Sequence, residues 1–561
     1  MYSIGSTALP GFAYADEPGD CHDSPEAFAF IQRCRNLCKT THSICHGTSD
    51  ARVLPPRLIR VEEHRLVLVD SVTLPWNSRY LALSYCWGKD RSLCTTSETM
   101  ATFREGIAFE EIPPVLLDAA EVTRKLGEKY IWIDRLCILQ DDPLDWQQNA
   151  SIMASVYEQA EFTVAAVASA SVKESFLRPL NGKRQTEGVS LVVPWPDECR
   201  ERFGDIRARV RPKGPDVSYN DDMEPYYDIE NDSYPLDSRG WTYQERYLSR
   251  RSVRYLPHQI VWECHTAQFQ ERYPFDTLMP ATLDEWQQSV QIFTMRSLTF
   301  ATDRTAAISG VASRWPSGGY AAGLWNDGNL LSQLRWSPNH QPGTKFSDHH
   351  SLGGAPSWSW LSLTQPIVWN LNSPDLDADF RLTNRWEPNI VLVDLDVVPS
   401  GPDRFGAVVL PGKLVLYARL LDATLCCQQQ NQISPSPPKY KCTILHSGQA
   451  QYISGVAVDT HLELVTTDNE SRWTRQSTRH KQHLRPGTDA AIKLFPMESD
   501  SFAMLLSPLH GNRHASMPMY ERIGHISIDL YARGGQAGVY PSDNCMQEAL
   551  YQARYLEFCI V

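Results

Sequence analysis

The chain has 561 residues, of which 42% are hydrophobic and 10% are aromatic. This composition supplies packed cores and excludes an intrinsically disordered protein. Because a single core rarely extends beyond about 300 residues, we expect at least two domains. The formal net charge of -13, without a concentrated run of Lys and Arg, argues against binding to a nucleic-acid backbone.

The N-terminal sequence gives no sign of export. Residues 1–20 have neither the basic segment nor the apolar core of a signal peptide, and the longest nearly apolar run, 162–172, is about half of a membrane span. We therefore expect a cytoplasmic protein with no membrane span, in which the 14 cysteines are reduced thiols. Cys86, Cys137 and Cys264 lie in apolar runs where cysteine serves as a small hydrophobic residue.

Cysteine and histidine recur on one predicted helix near the N-terminus. Cys38, His42 and Cys45 occupy positions i, i+4 and i+7 and share a helix face. A zinc site needs four ligands, and the paired Cys-x-x-Cys spacing common in zinc sites is absent. We therefore favour a packed helical face and predict no bound metal.

From residue 54 the sequence alternates between strand and helix patterns. Residues 58–69 predict a hairpin, and nearly continuous apolar runs ending at Gly88 and Asp134 predict strands buried on both faces. Asp145 is the expected N-cap of a helix. After the hairpin, the predicted order is strand 80–88, helix 115–127, strand 130–134, helix 145–157 and strand 162–168. This alternation predicts a doubly wound α/β core with right-handed crossovers.

The rest of the chain changes character twice. Residues 215–237 are acidic, contain three prolines and lack Lys and Arg, which predicts a solvated loop. Helical periodicity dominates 284–336, and short alternating segments make 345–561 β-rich. We predict four parts: a helical segment 1–53, an α/β domain 54–270, a helical extension 271–364 and a β-rich C-terminal domain 365–561.

A Gly-Trp pair followed by a lone glutamate is the most informative local pattern. Trp241 and Glu245 are four residues apart and share one face of a predicted helix. An indole lowers the local dielectric and raises the pKa of a neighbouring carboxyl, which suits that carboxyl to acid–base or cation-stabilising chemistry. Taken alone, the same pair also fits a helix start with tryptophan in the core and glutamate favoured by the helix dipole.

Four blocks of the sequence resemble the fungal heterokaryon-incompatibility (HET) domain family in order and spacing. The resemblance extends over roughly residues 30–360, and its four blocks are 54–59, 80–88, 131–142 and 239–246. The helix with Cys38, His42 and Cys45 resembles one often found before the domain. Arg135 and Leu139 depart from the family pattern, in which many members carry a small polar residue and isoleucine.

The resemblance implies a cytosolic trigger of regulated cell death, built on a TIR/flavodoxin-like parallel sheet flanked by helices. The family is regarded as a distant relative of the TIR domain, whose enzymatic members cleave the nicotinamide–ribose bond of NAD with a glutamate in a Trp-x-x-x-Glu helix start. It therefore implies Glu245 as the catalytic residue and NAD as the substrate. The leaving group is already cationic, so one carboxylate suffices to stabilise the oxocarbenium-like transition state.

The same resemblance places the residues that contact NAD at two strand ends and one helix start. Tyr85 or Trp87 offers a ring for stacking, Gly88 allows close backbone approach, and Asp134 is expected to face the crevice at the carboxyl end of the sheet. The candidate contact residues are Ser84, Tyr85, Trp87, Gly88, Asp134 and Trp241.

The sequence is also compatible with two other functions. One is a non-catalytic signalling module that self-associates or binds a partner incompatibility protein, and the other is an accessory factor recruited to a fungal biosynthetic pathway. A cysteine nucleophile is disfavoured because Cys86 and Cys137 have no histidine nearby in sequence. Motifs of serine hydrolases, zinc proteases and phosphate-binding loops are absent.

Overall fold

A computed structural model divides the protein into two compact units, residues 1–284 and 285–561. It describes residues 21–46, 54–178, 234–271, 286–316, 318–339, 354–369, 390–401, 403–427, 440–446, 489–498, 502–509, 517–527 and 552–561, together with the backbone of short strands elsewhere. Most of the predicted acidic loop, 215–233, lies outside these residues.

A ten-stranded sheet is the centre of the first unit. Its strands are β1 (Arg57–Val61), β2 (Arg65–Asp70), β3 (Tyr80–Ser84), β4 (Ile107–Ala108), β5 (Tyr130–Trp132), β6 (Thr163–Ala165), β7 (Arg251–Tyr255), β8 (Ile260–Cys264), β9 (Ala267–Gln270) and β10 (Tyr273–Leu278). They are ordered β10-β9-β8-β7-β6-β3-β5-β1-β2-β4. The four middle strands β7, β6, β3 and β5 are parallel, and antiparallel strands flank them.

Burial on both faces explains the parallel centre. All five residues of β3 are buried, as are the three of β6, because apolar side chains occupy both faces of these strands. The pairing brings Leu81 opposite Ile131 of β5 and Leu83 opposite Val164 of β6. The predicted α/β class is confirmed.

Six helices accompany this sheet among the described residues of the first unit. They are α1 (Pro25–Thr41), α2 (Met100–Glu105), α3 (Pro114–Lys125), α4 (Asp134–Cys137), α5 (Pro143–Gln159) and α6 (Gly240–Leu248). Three 3-10 turns, Ser43–His46, Ser71–Thr73 and Phe109–Glu111, complete the helical elements of these residues. The buried face of α3 carries Val115, Leu116, Ala119 and Val122, the stripe that its helical periodicity predicts.

The N-cap of α5 differs from the prediction. The side chain of Asp142, not Asp145, accepts hydrogen bonds from the backbone amides of Leu144 and Asp145. Pro143 begins the helix, since proline suits the first helical position. Asp145 instead accepts hydrogen bonds from the guanidinium of Arg57 at 2.5 and 2.6 Å, so its carboxylate fastens α5 to the start of β1.

A separate four-stranded sheet belongs to the same unit. Its strands are Ala13–Tyr14, Tyr2–Ile4, Asp205–Arg209 and Ser190–Val193, in that order. Tyr2–Ile4 pairs parallel with Ala13–Tyr14 and antiparallel with Asp205–Arg209.

The second unit is β-rich, as predicted. Nine strands follow one another across its large sheet: Val391–Pro399, Val408–Arg419, Tyr555–Ile560, Met519–Ser527, Phe502–Pro508, Asp489–Glu498, Leu421–Cys427, Tyr440–His446 and Gln449–Ile453. A tenth, Val456–Val458, pairs with Met519–Ser527, and a hairpin joins Leu462–Thr467 to Glu470–Arg475.

The other part of the second unit consists of short helices and strand pairs that are rich in tryptophan. The helices are Trp286–Thr294, Ala306–Arg314 and Leu330–Gln333, with 3-10 turns at Ala301–Arg304 and Trp360–Ser362 and short strand pairs Tyr320–Ala321 with Leu324–Trp325 and Trp336–Pro338 with Ile367–Trp369. The indoles of Trp286 and Trp360 both donate to the carbonyl of Gly323 at 2.8 Å. Gly323 has φ +89° and Trp360 against its Cα, a position that only glycine occupies without strain.

Within the described residues, no helix has the length and apolar character needed to cross a bilayer.

The salt bridges of one buried carboxylate hold α1 against the central sheet. Glu161, which precedes β6 and is 2% exposed, forms salt bridges with Arg35 and Lys39, one turn apart on α1. Arg35 also pairs with Glu128 and donates to the carbonyl of Leu126 at 3.2 Å. Burial raises the pKa of Glu161, but the hydrogen bond and charge of Lys39 and the charge of Arg35 outweigh it and lower the pKa to about 2.

We expect Glu161→Gln to loosen α1 from the sheet. Removing one partner of a fully buried ion pair costs about 3 to 5 kcal/mol. Because Arg35 keeps Glu128 as a partner and the Lys39 side chain is 34% exposed, we expect a loss near the lower end of this range. A folded-state pKa below the unfolded one gives stability that is present above about pH 4.5 and is lost as pH falls through about 2. Hydrogen exchange of the α1 amides should therefore accelerate at pH 7.

The matched control for Glu161→Gln is Glu121→Gln. Glu121 forms ion pairs with Lys125 and Arg178 nearer the surface, where such pairs contribute about 1 kcal/mol or less. Equal exchange rates of α1 in the two variants would contradict the role assigned to Glu161.

Candidate functional site

Polar side chains gather where the parallel strands end. β3 ends at Ser84 and β5 at Trp132, with Asp134 two residues beyond the end of β5. The helix α6 enters the same region and carries Glu245. In parallel α/β sheets the carboxyl ends of the strands are the usual location of ligand sites, so this cluster is the candidate site of the first unit.

Glu245 is buried against the end of β3. Its side chain is 8% exposed, and the hydroxyl of Ser84 donates to Oε2 at 2.5 Å. The backbone around it is fixed as well, because Ser249 donates to the carbonyl of Glu245 at 2.6 Å and lies 2.6 Å from the hydroxyl of Thr163 on β6. Hydrogen bonds to two parallel strands therefore hold this carboxyl in place.

The environment of Glu245 shifts its protonation into the physiological range. Burial raises its pKa from the usual 4.5 to about 7; the hydrogen bond from Ser84 and the charge of Arg239 oppose the rise, and the charge of Asp134 adds to it. Near neutral pH both the acid and the carboxylate are populated. A carboxyl tuned in this way can serve general acid–base catalysis or charge stabilisation.

Asp134 lies beside the indole of Trp87. The Trp87 Nε1–H donates to Asp134 Oδ2 at 2.7 Å, and the backbone amide of Arg135 donates to Oδ1 at 2.6 Å. Burial raises the pKa of Asp134 above its ordinary value although these two donors oppose the rise. The side chain is half-buried, at the carboxyl end of β5.

The guanidinium groups of two arginines lie over the ring of Trp87. The guanidinium carbons of Arg91 and Arg135 lie 4.9 and 4.8 Å from its centroid, within the range of cation–π attraction. Arg91 is exposed, whereas Arg135 is fully buried. A ligand ring that stacked on Trp87 would have to replace one of these contacts, and the exposed Arg91 is the one free to move.

Tyr85 and Gly88 have packing roles in this structure. Tyr85 is 4% exposed, and burial together with the negative charge of Asp134 raises its pKa well above the usual range. Gly88 has φ +66°, and a Cβ at this position would lie 2.6 Å from the Cβ of Ser171. In this conformation Ser171 therefore occupies the space beside Gly88 in which close approach of a ligand is predicted.

Trp241 contacts another aromatic ring. Its indole packs edge to face on Trp146 of α5, with centroids 6.3 Å apart and planes at 88°. The predicted helix over Trp241 and Glu245 is present, and the direction of the pKa shift of Glu245 is the expected one. The groups that set this shift are burial, Ser84, Asp134 and Arg239.

The structure adds two residues that the sequence analysis did not select. The hydroxyl of Tyr157 donates to the carbonyl of Leu83 at 3.2 Å and borders Glu245, whose charge raises the pKa of Tyr157 further after burial. Arg239 donates to the carbonyl of Tyr85 at 3.4 Å. Neither residue stands in a spacing that signals this role, although Arg239 begins the block that contains Trp241.

A small pocket opens beside Ser84. Thr163, Thr242, Ser252 and Arg254 contribute to its lining, and its enclosed space is about that of one water molecule. The pocket in this conformation is far smaller than a dinucleotide.

Ion pairs stabilise the wall behind this pocket. Arg254 pairs with Asp237 at 2.7 Å and with Glu263 at 3.4 Å, and Arg246 pairs with Glu263 at 2.8 Å. Burial raises the pKa of Glu263, but the charges of Arg246 and Arg254 prevail and lower it to about 2. Glu263 is therefore ionised at neutral pH, in contrast to Glu245.

A second cluster lies where α1 meets the sheet. Cys38, His42, Cys45 and Cys264 bring their ligand atoms within 4.8 Å of one another. Three of them are the residues that the sequence analysis assigned to a packed helical face. The fourth is 222 residues from His42, too far for local spacing to reveal.

Comparison with known proteins shows which family the segment around Glu245 resembles. Residues 80–245 match the family model described as heterokaryon incompatibility protein (HET). The matched segment begins with β3 and ends at Glu245, so it contains all the predicted site residues. No curated protein and no solved structure matches the chain.

The raised pKa of Glu245 predicts a pH-dependent effect of Glu245→Gln on stability. A carboxyl whose folded-state pKa lies above its unfolded value destabilises the fold as pH rises from about 4.5 through about 7. The neutral variant escapes this penalty. Between pH 5 and pH 8 the free energy of unfolding of the variant should gain up to about 3 kcal/mol relative to wild type in urea denaturation.

Glu263→Gln provides the control of opposite sign. Because the pKa of Glu263 is lowered to about 2, its loss should destabilise the protein by a similar amount at pH 5 and at pH 8. A stability difference of Glu245→Gln that stays constant over this interval would contradict the raised pKa of Glu245.

Proposed function

Because this chain carries a HET domain over residues 80–245, we propose that it is an intracellular cell-death or conflict effector that cleaves the nicotinamide–ribose bond of NAD. The domain makes it a protein of the heterokaryon-incompatibility type. The proposal of NAD cleavage rests on one observation, the placement of Glu245. Its buried carboxyl, with a pKa of about 7, lies at the carboxyl ends of parallel strands.

The proposed reaction requires only a water molecule and one carboxylate. The bond between ribose C1′ and the nicotinamide nitrogen breaks, its electron pair returns to the cationic pyridinium ring, and nicotinamide leaves neutral. Water adds to C1′ and releases one proton, giving ADP-ribose. The positive charge that develops on the ribose is what ionised Glu245 would stabilise.

The neighbouring residues have distinct roles in this proposal. Ser84 orients the Glu245 carboxyl through its hydrogen bond of 2.5 Å, and Asp134 orients the indole of Trp87. Trp87 would stack on a ring of the substrate once Arg91 moves away. Trp241 packs on Trp146, which is 40% exposed, and in this proposal it contacts the substrate once the site opens.

The site must open before NAD can enter. The pocket beside Ser84 has room for about one water molecule, and Glu245 is buried. The conformation described here is therefore the resting state in our proposal, and self-association or binding of a partner incompatibility protein is the event that opens it. A resting site that excludes NAD protects the cell until the trigger arrives.

The small pocket also favours a second candidate, a non-catalytic assembly module. In that case Glu245, Ser84 and Asp134 serve only to hold α6 and β5 against the end of β3. Recruitment to a biosynthetic pathway is a variant of the same non-catalytic hypothesis. Nicotinamide release separates catalysis from both, and sedimentation analysis detects assembly.

The decisive experiment is chromatography of NAD incubated with full-length protein at concentrations that permit self-association. We expect nicotinamide and ADP-ribose to appear, and Glu245→Gln to lower turnover by about a hundredfold or more, because it keeps the shape and removes the charge. Turnover should rise with pH through about 7, as Glu245 ionises. Glu121→Gln, outside the site, should match wild type.

Two results would contradict the proposal. Wild-type protein that assembles but releases no nicotinamide would reject NAD cleavage. Glu245→Gln protein with full activity would reject Glu245 as the residue that stabilises the developing charge. In the first case the assembly module becomes the function that the structure supports.

A further inference from the structure

We propose that Cys38, His42, Cys45 and Cys264 form a structural zinc site that joins α1 to the edge of the parallel sheet. Their ligand atoms lie within 4.8 Å of one another. In a tetrahedral zinc site with Zn–S bonds of about 2.3 Å, ligand atoms are separated by about 3.8 Å. The cluster thus needs only a slight contraction to close around the ion.

Local structure at the end of α1 presents three of the ligands. Cys38 lies in the last turn of α1, and His42 is the C-cap, with its backbone amide donating to the carbonyl of Cys38 at 3.3 Å. The following 3-10 turn, Ser43–His46, carries the buried Cys45, whose sulfur lies within 4.8 Å of the other ligand atoms. The Cys-x-x-x-His-x-x-Cys spacing therefore supplies three of the four ligands from one short segment.

The fourth ligand comes from the sheet. Cys264 is the last residue of β8, and its sulfur lies 3.3 Å from Nδ1 of His42. The imidazole of His42 is also stacked on Phe269 of β9, with the planes 4° apart. This ring contact thus orients the histidine even without a bound metal.

Burial and donor type select the metal. Cys38 and Cys45 are fully buried and Cys264 is 5% exposed, so three sulfurs and one imidazole face a common interior point. Three thiolates and one imidazole in a tetrahedral set are the donors of structural zinc sites. All four positions are filled by protein, which indicates a structural rather than a catalytic ion.

The surroundings supply the charge and hydrogen bonds that such a site requires. Zinc with three thiolates and a neutral imidazole carries a net charge of about −1, and the buried guanidinium of Arg251 donates from Nε to the sulfur of Cys38 at 3.2 Å. The backbone amide of Ala267 donates to the sulfur of Cys264 at 3.4 Å. Donors of this kind orient and stabilise metal-bound thiolates.

Arg251 gives an independent reason for an anionic centre. It is 5% exposed, and in the described part of the chain it forms no salt bridge. Besides Cys38, it donates to the carbonyls of Cys45 and Glu161. The carboxylate of Glu161, whose pKa the charge of Arg251 helps to lower, is already paired with Arg35 and Lys39. A zinc–thiolate cluster would place further negative charge in direct contact with the buried guanidinium of Arg251.

Metal analysis of the full-length protein, expressed with zinc and purified without chelator, tests the proposal. We expect about one zinc ion per chain, and replacement by cobalt should give the intense visible absorption of tetrahedral cobalt–thiolate complexes. Cys264→Ala should lower the metal content at least about tenfold, since even the loss of an outer-shell partner lowers affinity by that factor. Cys34→Ala, a buried cysteine one turn earlier on α1, should retain the metal.

A measurement on the wild-type protein covers the case in which Cys264→Ala does not fold. Cys38, Cys45 and Cys264 should resist alkylation with zinc bound and react after chelation, while hydrogen exchange of α1 accelerates. Three results would overturn the proposal: wild-type protein that takes up no metal from excess zinc, a Cys264→Ala variant that keeps its zinc, or a disulfide between two of the three cysteines in wild type.

Discussion

The parallel pairing of β7 with β6 is the constraint on which the first unit depends. It sets Ser252, Val253 and Arg254 opposite Thr163, Val164 and Ala165, and so returns the chain to the sheet after a long excursion. Parallel pairing needs a crossover connection, and α6 is its last element. The pairing therefore places the helix that carries Glu245 at the carboxyl ends of the strands, and the strand that carries Cys264 beside α1.

Burial of polar groups at these strand ends is what makes the region chemically distinctive. Glu245 and Asp134 are both carboxyls whose pKa is raised by burial, whereas the buried Glu263 is held ionised by two arginines. The difference is in the partners: Glu245 has a hydroxyl where Glu263 has guanidinium groups. A buried carboxyl with a raised pKa at the ends of parallel strands is the kind of arrangement from which functional sites are proposed, and it is the observation on which our proposal for Glu245 rests.

Local signals in the sequence account for much of this fold. The apolar run of β3 and the periodicity of α3 predict elements that the structure contains, and the Trp-x-x-x-Glu segment begins a helix as expected. Each of these features depends on residues near one another in the chain. The N-cap of α5 is a local signal that was assigned to the wrong residue: Pro143 at the first helical position marks Asp142 as the cap, whereas Asp145 pairs with Arg57.

Contacts between distant segments were beyond the sequence alone. Ser84 and Glu245 are 161 residues apart and His42 and Cys264 are 222 apart, so no spacing rule links them. The cysteine cluster illustrates the consequence: Cys38, His42 and Cys45 are close in the sequence, and only the sheet brings Cys264 beside them. Likewise, the pKa of Glu245 depends on Arg239 and Asp134, whose positions follow from sheet order.

The two sites share one short piece of backbone. Ser249 hydrogen-bonds the carbonyl of Glu245, and two residues later Arg251 begins β7 and donates to the sulfur of Cys38. Hydrogen bonds therefore tie both ends of the segment 245–251, one to the Glu245 site and the other to the cysteine cluster. A change in the cluster that shifts Arg251 must be taken up between Leu248 and Arg251 or be passed to Glu245. Thr163 on β6 also contacts Ser249, so the parallel strands anchor this segment at a point between the two ends.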